Sequence, residues 1–372
     1  MIACLYSCSQ PAQTDEQKPE LKITLDTVRV DSKDEILFLN YFLNISSLDP
    51  SGRFLYNMNV QKNILEKINL ETLELDSLIQ LEREGPNGIG GFPSTFMVLE
   101  DGSFLFFNGY SLKKLDANGE KTLDIQLAKE DYIQNLIPEG YEVSFQSNGF
   151  SSDGNYFAAL YGDPNYGSKP EGILWVDFQN QKGKLIPTDK LDFISENNVI
   201  LRIDGQNKGA SSSVVFFEPF EDKILFSSSA RNTFMIYDFA TDSITTKTYD
   251  SKLTRNAPIP EETKVVEDRE EFQRLRMEKI RQVNFAKWYL DKESGNRWRF
   301  SKELDKIVGN DSSVFKTVVT GIDKDFNMIG EYQLPSDFVF PFQTRVRKGM
   351  IYTFLNENDE LAFIRIKPTI EK

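Results

Sequence analysis

The sequence predicts an all-β chain: a six-bladed β-propeller, seven blades if an insertion hides a degenerate one, with one inserted surface helix. Three observations carry this. A module recurs in which a Ser/Asp/Gly-type turn precedes an aromatic-rich strand, a break and a second strand. It is seen at Asp49-Pro50-Ser51-Gly52 before Phe54-Leu55-Tyr56, at Asp101-Gly102 before Phe104-Leu105-Phe106-Phe107, and at Asp153-Gly154 before Tyr156-Phe157-Ala158. A unit of a few dozen residues cannot bury its own apolar face, so its recurrence marks a propeller or solenoid. The segment Leu21–Val30 alternates with period two, as a half-buried strand does, yet lacks a cycle of its own. It is placed to complete the last blade and close the ring, which removes exposed edges. One or two sandwich domains are the competing architecture.

The cycles follow in order. The first runs from about Phe42 to Leu81, the second from Thr95 to Leu127, and the third from Val143 to Ile186 with an inserted loop at Gly162–Gly172. The fourth runs from Ser213 to Tyr249. In the fifth, Glu261–Gln282 lacks Gly and Pro, is dense in mixed charge, and spaces Phe272, Leu275 and Val283 as a helix would. Glu270 and Arg274 stand as an i,i+4 pair. Strands at Trp288–Asp291 and Asn296–Phe300 follow, and the cycle resumes at Val314–Ile322 and Asn327–Tyr332. The sixth holds Met350–Leu355 and Leu361–Ile366. The expected division is 1–20 as lipoprotein signal remnant and flexible tether, then 21–370 as one propeller domain with a helical insertion at about 255–285.

Composition narrows the chemistry. With 372 residues, 40% hydrophobic and 27% charged, the chain can build a large core. Its formal charge of −14 argues against nucleic acid, whose affinity rests on Lys and Arg neutralising phosphates. Histidine is absent, which removes Ser-His-Asp and Cys-His mechanisms and His-containing metal sites. The two cysteines, Cys4 and Cys8, lie in the first eight residues, so the body has neither disulfide nor thiolate site. No cofactor or metal is expected.

Leu5-Tyr6-Ser7-Cys8 is similar to a bacterial lipobox, with Cys8 as the lipidated residue. Ser9–Glu20 is polar, contains Pro11 and Pro19, and reads as a tether. Only seven residues precede Cys8 and none is basic, whereas a secretory signal has a basic start and an apolar stretch of about 7–15 residues. Either the start lies upstream or the match is chance.

Glu84-Gly85-Pro86-Asn87-Gly88-Ile89-Gly90-Gly91, Val283–Asp291, Arg297-Trp298-Arg299-Phe300 and Ile329–Pro335 resemble an uncharacterised family of propeller lipoproteins typical of Bacteroidetes. The resemblance spans about Thr27 to Ile366. It implies a six-bladed propeller of the TolB or NHL type, attached by lipid at the envelope of a Gram-negative bacterium, on the outer membrane or its periplasmic face. Its motifs are family marks, and it implies no activity.

Candidate ligand-binding residues are Trp288, Tyr289, Arg297, Trp298, Asn87 and Tyr166. Aromatic faces stack on sugar rings or peptide apolar groups, and arginines hold carboxylates. The same aromatics serve equally as packing between blades. Asn87 lies in a glycine-rich connection that reads as an anion nest or as a plain blade connection needing positive φ. Tyr166 lies in the inserted loop. Asp323-Lys324-Asp325-Phe326-Asn327 has Ca²⁺-loop oxygen spacing, but Met328 and Leu334 stand where Gly and Glu are needed, so it reads as a hairpin turn. The expected function is a lipid-anchored, non-catalytic binding or scaffold protein for an unknown protein, peptide or glycan. The alternative is a carbohydrate-active hydrolase or lyase that works through carboxylates in the propeller funnel.

Overall fold

The computed structural model describes residues 20–309, 312–341 and 343–371. The Cys8 lipobox and the tether up to residue 19 lie outside them. Six sheets make the blades, each four strands deep from centre to rim. Blade 1 is Ser46–Leu48, Phe54–Asn59, Ile64–Asn69 and Glu74–Gln80. Blade 2 is Thr95–Val98, Phe104–Phe107, Ser111–Leu115 and Lys121–Gln126. Blade 3 is Glu142–Phe150, Tyr156–Gly162, Pro170–Asp177 and Lys182–Pro187. Blade 4 is Val215–Pro219, Lys223–Ser228, Thr233–Asp238 and Ser243–Thr248. Blade 5 has a broken inner strand, Asn284–Phe285 and Tyr289–Leu290, then Arg297–Val308, Ser312–Ile322 and Met328–Gln333. Blade 6 is Thr344–Arg347, Met350–Glu357 and Glu360–Glu371, with the first strand, Glu20–Arg29, as its rim.

That rim strand pairs antiparallel with Glu360–Glu371 from Glu20↔Glu371 to Arg29↔Ala362, so the segment without a cycle does close the ring. The core is a ring of inter-blade layers. Met58 and Leu65 meet Phe96 and Phe106 between blades 1 and 2. The layer between blades 6 and 1 joins Tyr352, Leu361 and Phe363 to Leu55 and Ile68. Each blade buries both faces against its neighbours, which is why strand residues such as Phe104–Phe107 are buried without alternation.

The recurring turn has a local cause. The Asp101 carboxylate accepts the Ser103 N–H at 3.0 Å, and Asp153 accepts the Asn155 N–H at 3.0 Å. The glycine that follows each Asp takes positive φ, as Gly154 does at +72°.

A seventh sheet is a rim insertion rather than a blade: Val199–Ile203, Gln206–Ala210 and Lys264–Val266. It corrects the expected helix over Glu261–Gln282. The helix covers only Arg269–Ile280, and 264–266 pairs parallel with Val199–Leu201 instead. Asp268 caps the helix by accepting the Glu271 N–H at 2.8 Å, and Phe272 and Leu275 pack on Val199, Leu201 and Val266. Arg274 pairs with Glu278 at 2.7 Å and Glu271 at 3.8 Å, not with Glu270. A second, four-residue helix lies at Asp131–Gln134.

Candidate ligand-binding face

Strand direction alternates within each blade, so every inner strand starts at the same end of the propeller. The links from each rim strand to the next inner strand lie at that end, with the turns between second and third strands. We call it the connection face. Among the described residues, Leu25 and Leu78 on rim strands, and Ile370 at the far end of the third strand of blade 6, are the exposed large apolar side chains that lie away from it. The others sit in its connections or at strand ends beside it, among them Ile36, Tyr41, Phe92, Tyr110, Tyr166 and Val339. The opposite face consists of the short Asp-rich turns described above. Several of the exposed rings touch across neighbouring connections. Tyr41 lies 5.5 Å from Phe38 and 5.4 Å from Phe92, and Tyr110 lies 4.4 Å from Phe145.

The departures from the repeat converge on this face. The loop with Tyr166 docks on the rim sheet: Asn207 Nδ2 donates to the Tyr166 carbonyl at 3.0 Å, and Asn198 Nδ2 to that of Gly167 at 3.4 Å. Gly167 has φ +83°, and Ile200 would stand 2.7 Å from a Cβ there. Loop, rim sheet and helix therefore form one cap beside blades 3 and 4. Lys279 in the helix donates to Asn198 Oδ1 at 3.2 Å and to the Ser211 carbonyl, and burial pushes its amine down to about 8.

The segment 37–45 is anchored by a buried carboxylate. Glu66 is 2% exposed and accepts from Phe38 N–H at 2.9 Å, Asn57 Nδ2 at 2.7 Å and Asn59 Nδ2 at 3.3 Å. Burial pushes its carboxyl up, against the pull of these donors.

At the axis lies a cluster from three inner strands. Trp288 turns into the core between blades 4 and 5, where it meets Phe234 and Tyr249 and lies 4.1 Å from the Arg299 guanidinium. Its chain neighbours Lys287 and Tyr289 consequently take the other side. Lys287 feels Arg345 of blade 6 and Glu218 of blade 4, the inner strands on either flank, which places it at the channel. Its side chain is exposed, yet the surrounding walls, and then Arg345, push the amine down to about 8 while Glu218 opposes. Tyr289 lies 5.2 Å from the Lys287 Nζ, and burial raises its phenol. Arg345 donates to the Ser46 carbonyl at 2.6 Å, Ser46 Oγ at 2.8 Å and Gln343 Oε1 at 2.9 Å, tying blade 6 to blade 1. Burial lowers its pKa, with Tyr289 acting in the opposite sense.

The residues nominated from sequence thus separate. Tyr289 stands at the channel. Arg297 is buried and forks onto Glu218 at 2.6 and 3.2 Å. Trp288 and Trp298 are buried between blades at 7% and 4% exposure. Asn87 Oδ1 accepts the Lys121 N–H at 3.1 Å, and the nearby amides of Gly88, Ile89 and Gly90 donate to the segment's own carbonyls rather than converging as a nest. Tyr166 is exposed on the cap. Asp323 accepts the N–H groups of Asp325 and Asn327, a hairpin turn as expected. Among the described residues, no group of three His, Cys, Asp or Glu could hold a metal ion. Lys287, Arg345 and Glu218 were not nominated, because only the closed ring brings them together.

Residues 20–333 match the family described as Domain of unknown function (DUF4221). The chain belongs to this family. The resemblance read from the glycine-rich and Trp-containing segments is borne out at that level. A crystal structure of a DUF4221 member from Bacteroides vulgatus ATCC 8482 is similar, with 15% identity, 95% of this chain and 99% of that one covered, and a TM-score of 0.67. At this identity the likeness speaks for the fold. Propellers from further afield also match. The Cps50 (Swd1) β-propeller domain of Myceliophteria thermophila has 10% identity, coverage of 94% and 100%, and a TM-score of 0.40. The Pan2 WD40 domain of Neurospora crassa has 13%, 92% and 95%, and 0.41. No curated protein matches the sequence.

Proposed function

We propose that this DUF4221 propeller is a lipid-anchored binding protein of the cell envelope that holds a ligand at its connection face without transforming it. The observation that carries the reading is the gathering of exposed apolar side chains on that one face. Exposed apolar side chains that gather rather than scatter mark interaction sites. Among the described residues, the funnel carboxylates with raised pKa that the hydrolase or lyase alternative needs do not assemble around the channel cluster: Glu218 is committed to Arg297, and the raised Glu66 is enclosed by its three donors. Glu20 lies at the opposite face, because the rim strand of blade 6 ends at the connection face with Arg29. A lipid on Cys8 would thus attach through a tether that joins the propeller at its polar face, away from the aromatic one.

The test has two parts. Cys8→Ser should release the protein from membranes. A variant that still fractionates with them and takes up lipid label defeats the anchor. Capture from envelope extract, with a glycan array in parallel, should be lost in Tyr41→Ser/Phe92→Ser and kept in Asn118→Ser on the opposite face. Equal capture by all three defeats the face.

A further inference from the structure

We propose that the centre of the channel is an oxyanion site, where Lys287 and Arg345, with the Tyr289 hydroxyl, hold a carboxylate or phosphate group of a small ligand. This deepens the binding reading above and rests on it for the direction of approach.

The geometry is that of two cations brought together without a counter-ion. Lys287 makes no hydrogen bond or ion pair with any described residue. Its Nζ lies over the Tyr289 ring instead, 5.2 Å from the centroid. Among the described residues, Arg345 has no carboxylate within ion-pair distance; its Nη1 and Nη2 are spent on Ser46, Gln343 and backbone carbonyls, and Nε donates to none of them. Glu218, the carboxylate that acts on Lys287, already carries Arg297 in a two-point pair. In a chain of formal charge −14, with acid to spare, this position is left cationic. Such an arrangement is unfavourable while empty and is relieved by an anion, since each cation lowers the other's affinity for its proton.

The donor set fixes the ligand class. An ammonium brings up to three N–H donors, the guanidinium a fourth at Nε, and a phenol whose pKa is raised stays a donor at neutral pH. These groups offer donors and positive charge, the complement of a carboxylate or phosphate. A neutral ligand would leave the two cations facing each other. The enclosing walls that weaken Lys287 as a base also strengthen its attraction for an anion, because screening there is poorer than at the surface.

The test uses the full-length Cys8→Ser chain and two probes, inorganic phosphate and succinate, titrated by calorimetry at pH 7 and constant ionic strength set with chloride. Both probes should bind the wild-type channel in preference to chloride. Lys287→Met, which loses no hydrogen bond and keeps chain length, should weaken binding at least tenfold while its circular dichroism is unchanged. Lys287→Gln gives a second route should Met perturb the fold. Succinate stays ionised above pH 7, so its affinity should fall about tenfold between pH 7 and pH 9.5 as Lys287, faced by Arg345 and Glu218, loses its proton near 8. A probe that binds no better than chloride is an adventitious ion only and overturns the proposal. So does equal binding by the Lys287 variants. If Tyr41→Ser/Phe92→Ser abolish envelope capture while neither anion binds, the oxyanion site falls and the binding face stands.

Discussion

Replacing Glu66 by glutamine tests how the aromatic part of the connection face is held. The carboxylate is 2% exposed, lies within ion-pair distance of no described cation, and takes three donors: the Phe38 N–H, Asn57 Nδ2 and Asn59 Nδ2. Glutamine keeps the shape but turns one oxygen into an NH₂. Whichever way the amide lies, that NH₂ faces a donor, and one buried donor loses its acceptor. An unsatisfied buried group costs about 1–3 kcal/mol, while removing a desolvated charge returns part of it, so a net loss of about 1–2 kcal/mol at pH 7 is expected. The pH dependence gives a second reading. Burial raises the folded-state pKa of Glu66 above 4.5, so the folded state binds this proton more tightly than the unfolded one. Wild-type stability therefore gains as pH falls through the window just above 4.5, and the glutamine variant cannot share the gain. The deficit of Glu66→Gln should widen from pH 7 to pH 4.5 in urea unfolding followed by tryptophan fluorescence. Amide exchange should quicken across 37–45, where Tyr41 sits. A variant as stable as wild type, or a deficit that narrows on acidification, would refute the reasoning.

Two further substitutions probe the blades. Arg299 is 1% exposed, donates to Asn232, and leaves Nε and Nη1 unpartnered between Trp288 and Phe285. Arg299→Met should leave stability unchanged or raise it by about 1–4 kcal/mol at pH 7.5, as replacing buried charge by apolar volume often does. Since burial lowers the folded pKa to about 9 from 12.5, wild type should recover relative to the variant as pH rises above about 9; a less stable variant at pH 7.5 contradicts this. Gly154→Ala forces Cβ at φ +72° to within 2.9 Å of Leu99 and Leu105, whereas Gly119→Ala at φ +86° meets nothing within 4 Å. Left-handed backbone costs an L-residue about 1–2 kcal/mol and overpacking adds about 1–3, so denaturant midpoints should fall further for Gly154→Ala; equal losses would refute the packing argument.

What could be read from sequence was the part set by local chemistry. Asp101-Gly102 and Asp153-Gly154 announce their turns because the Asp side chain closes the turn on its own backbone. Leu21–Val30 could be assigned to the last blade because a lone alternating strand needs a partner. The rim sheet escaped notice because Gln206–Ala210 lacks strand formers, and Lys264–Val266 becomes a strand only by pairing with Val199–Leu201, some sixty residues away. Tertiary pairing there overrode a helical composition. At the site, the aromatics near 288–298 were conspicuous by type, but type does not fix direction. Trp288 and Trp298 turn inward and Tyr289 does not. Lys287 lies within the Val283–Asp291 family segment but carries no chemical motif of its own, and its relation to Arg345 exists only once the ring is closed.

Closing the ring with its own beginning also imposes an order in time. Glu20–Arg29 is synthesised more than three hundred residues ahead of its partner Glu360–Glu371. Blade 6 cannot assemble during synthesis until residues 360–371 have emerged, and in the interval Glu20–Arg29 is an unpaired edge. A chain truncated anywhere before residue 360 leaves that edge permanently open. The hairpin of blade 6 thus acts as a checkpoint: until it forms, Glu20–Arg29 is displayed to proteases and to neighbouring chains.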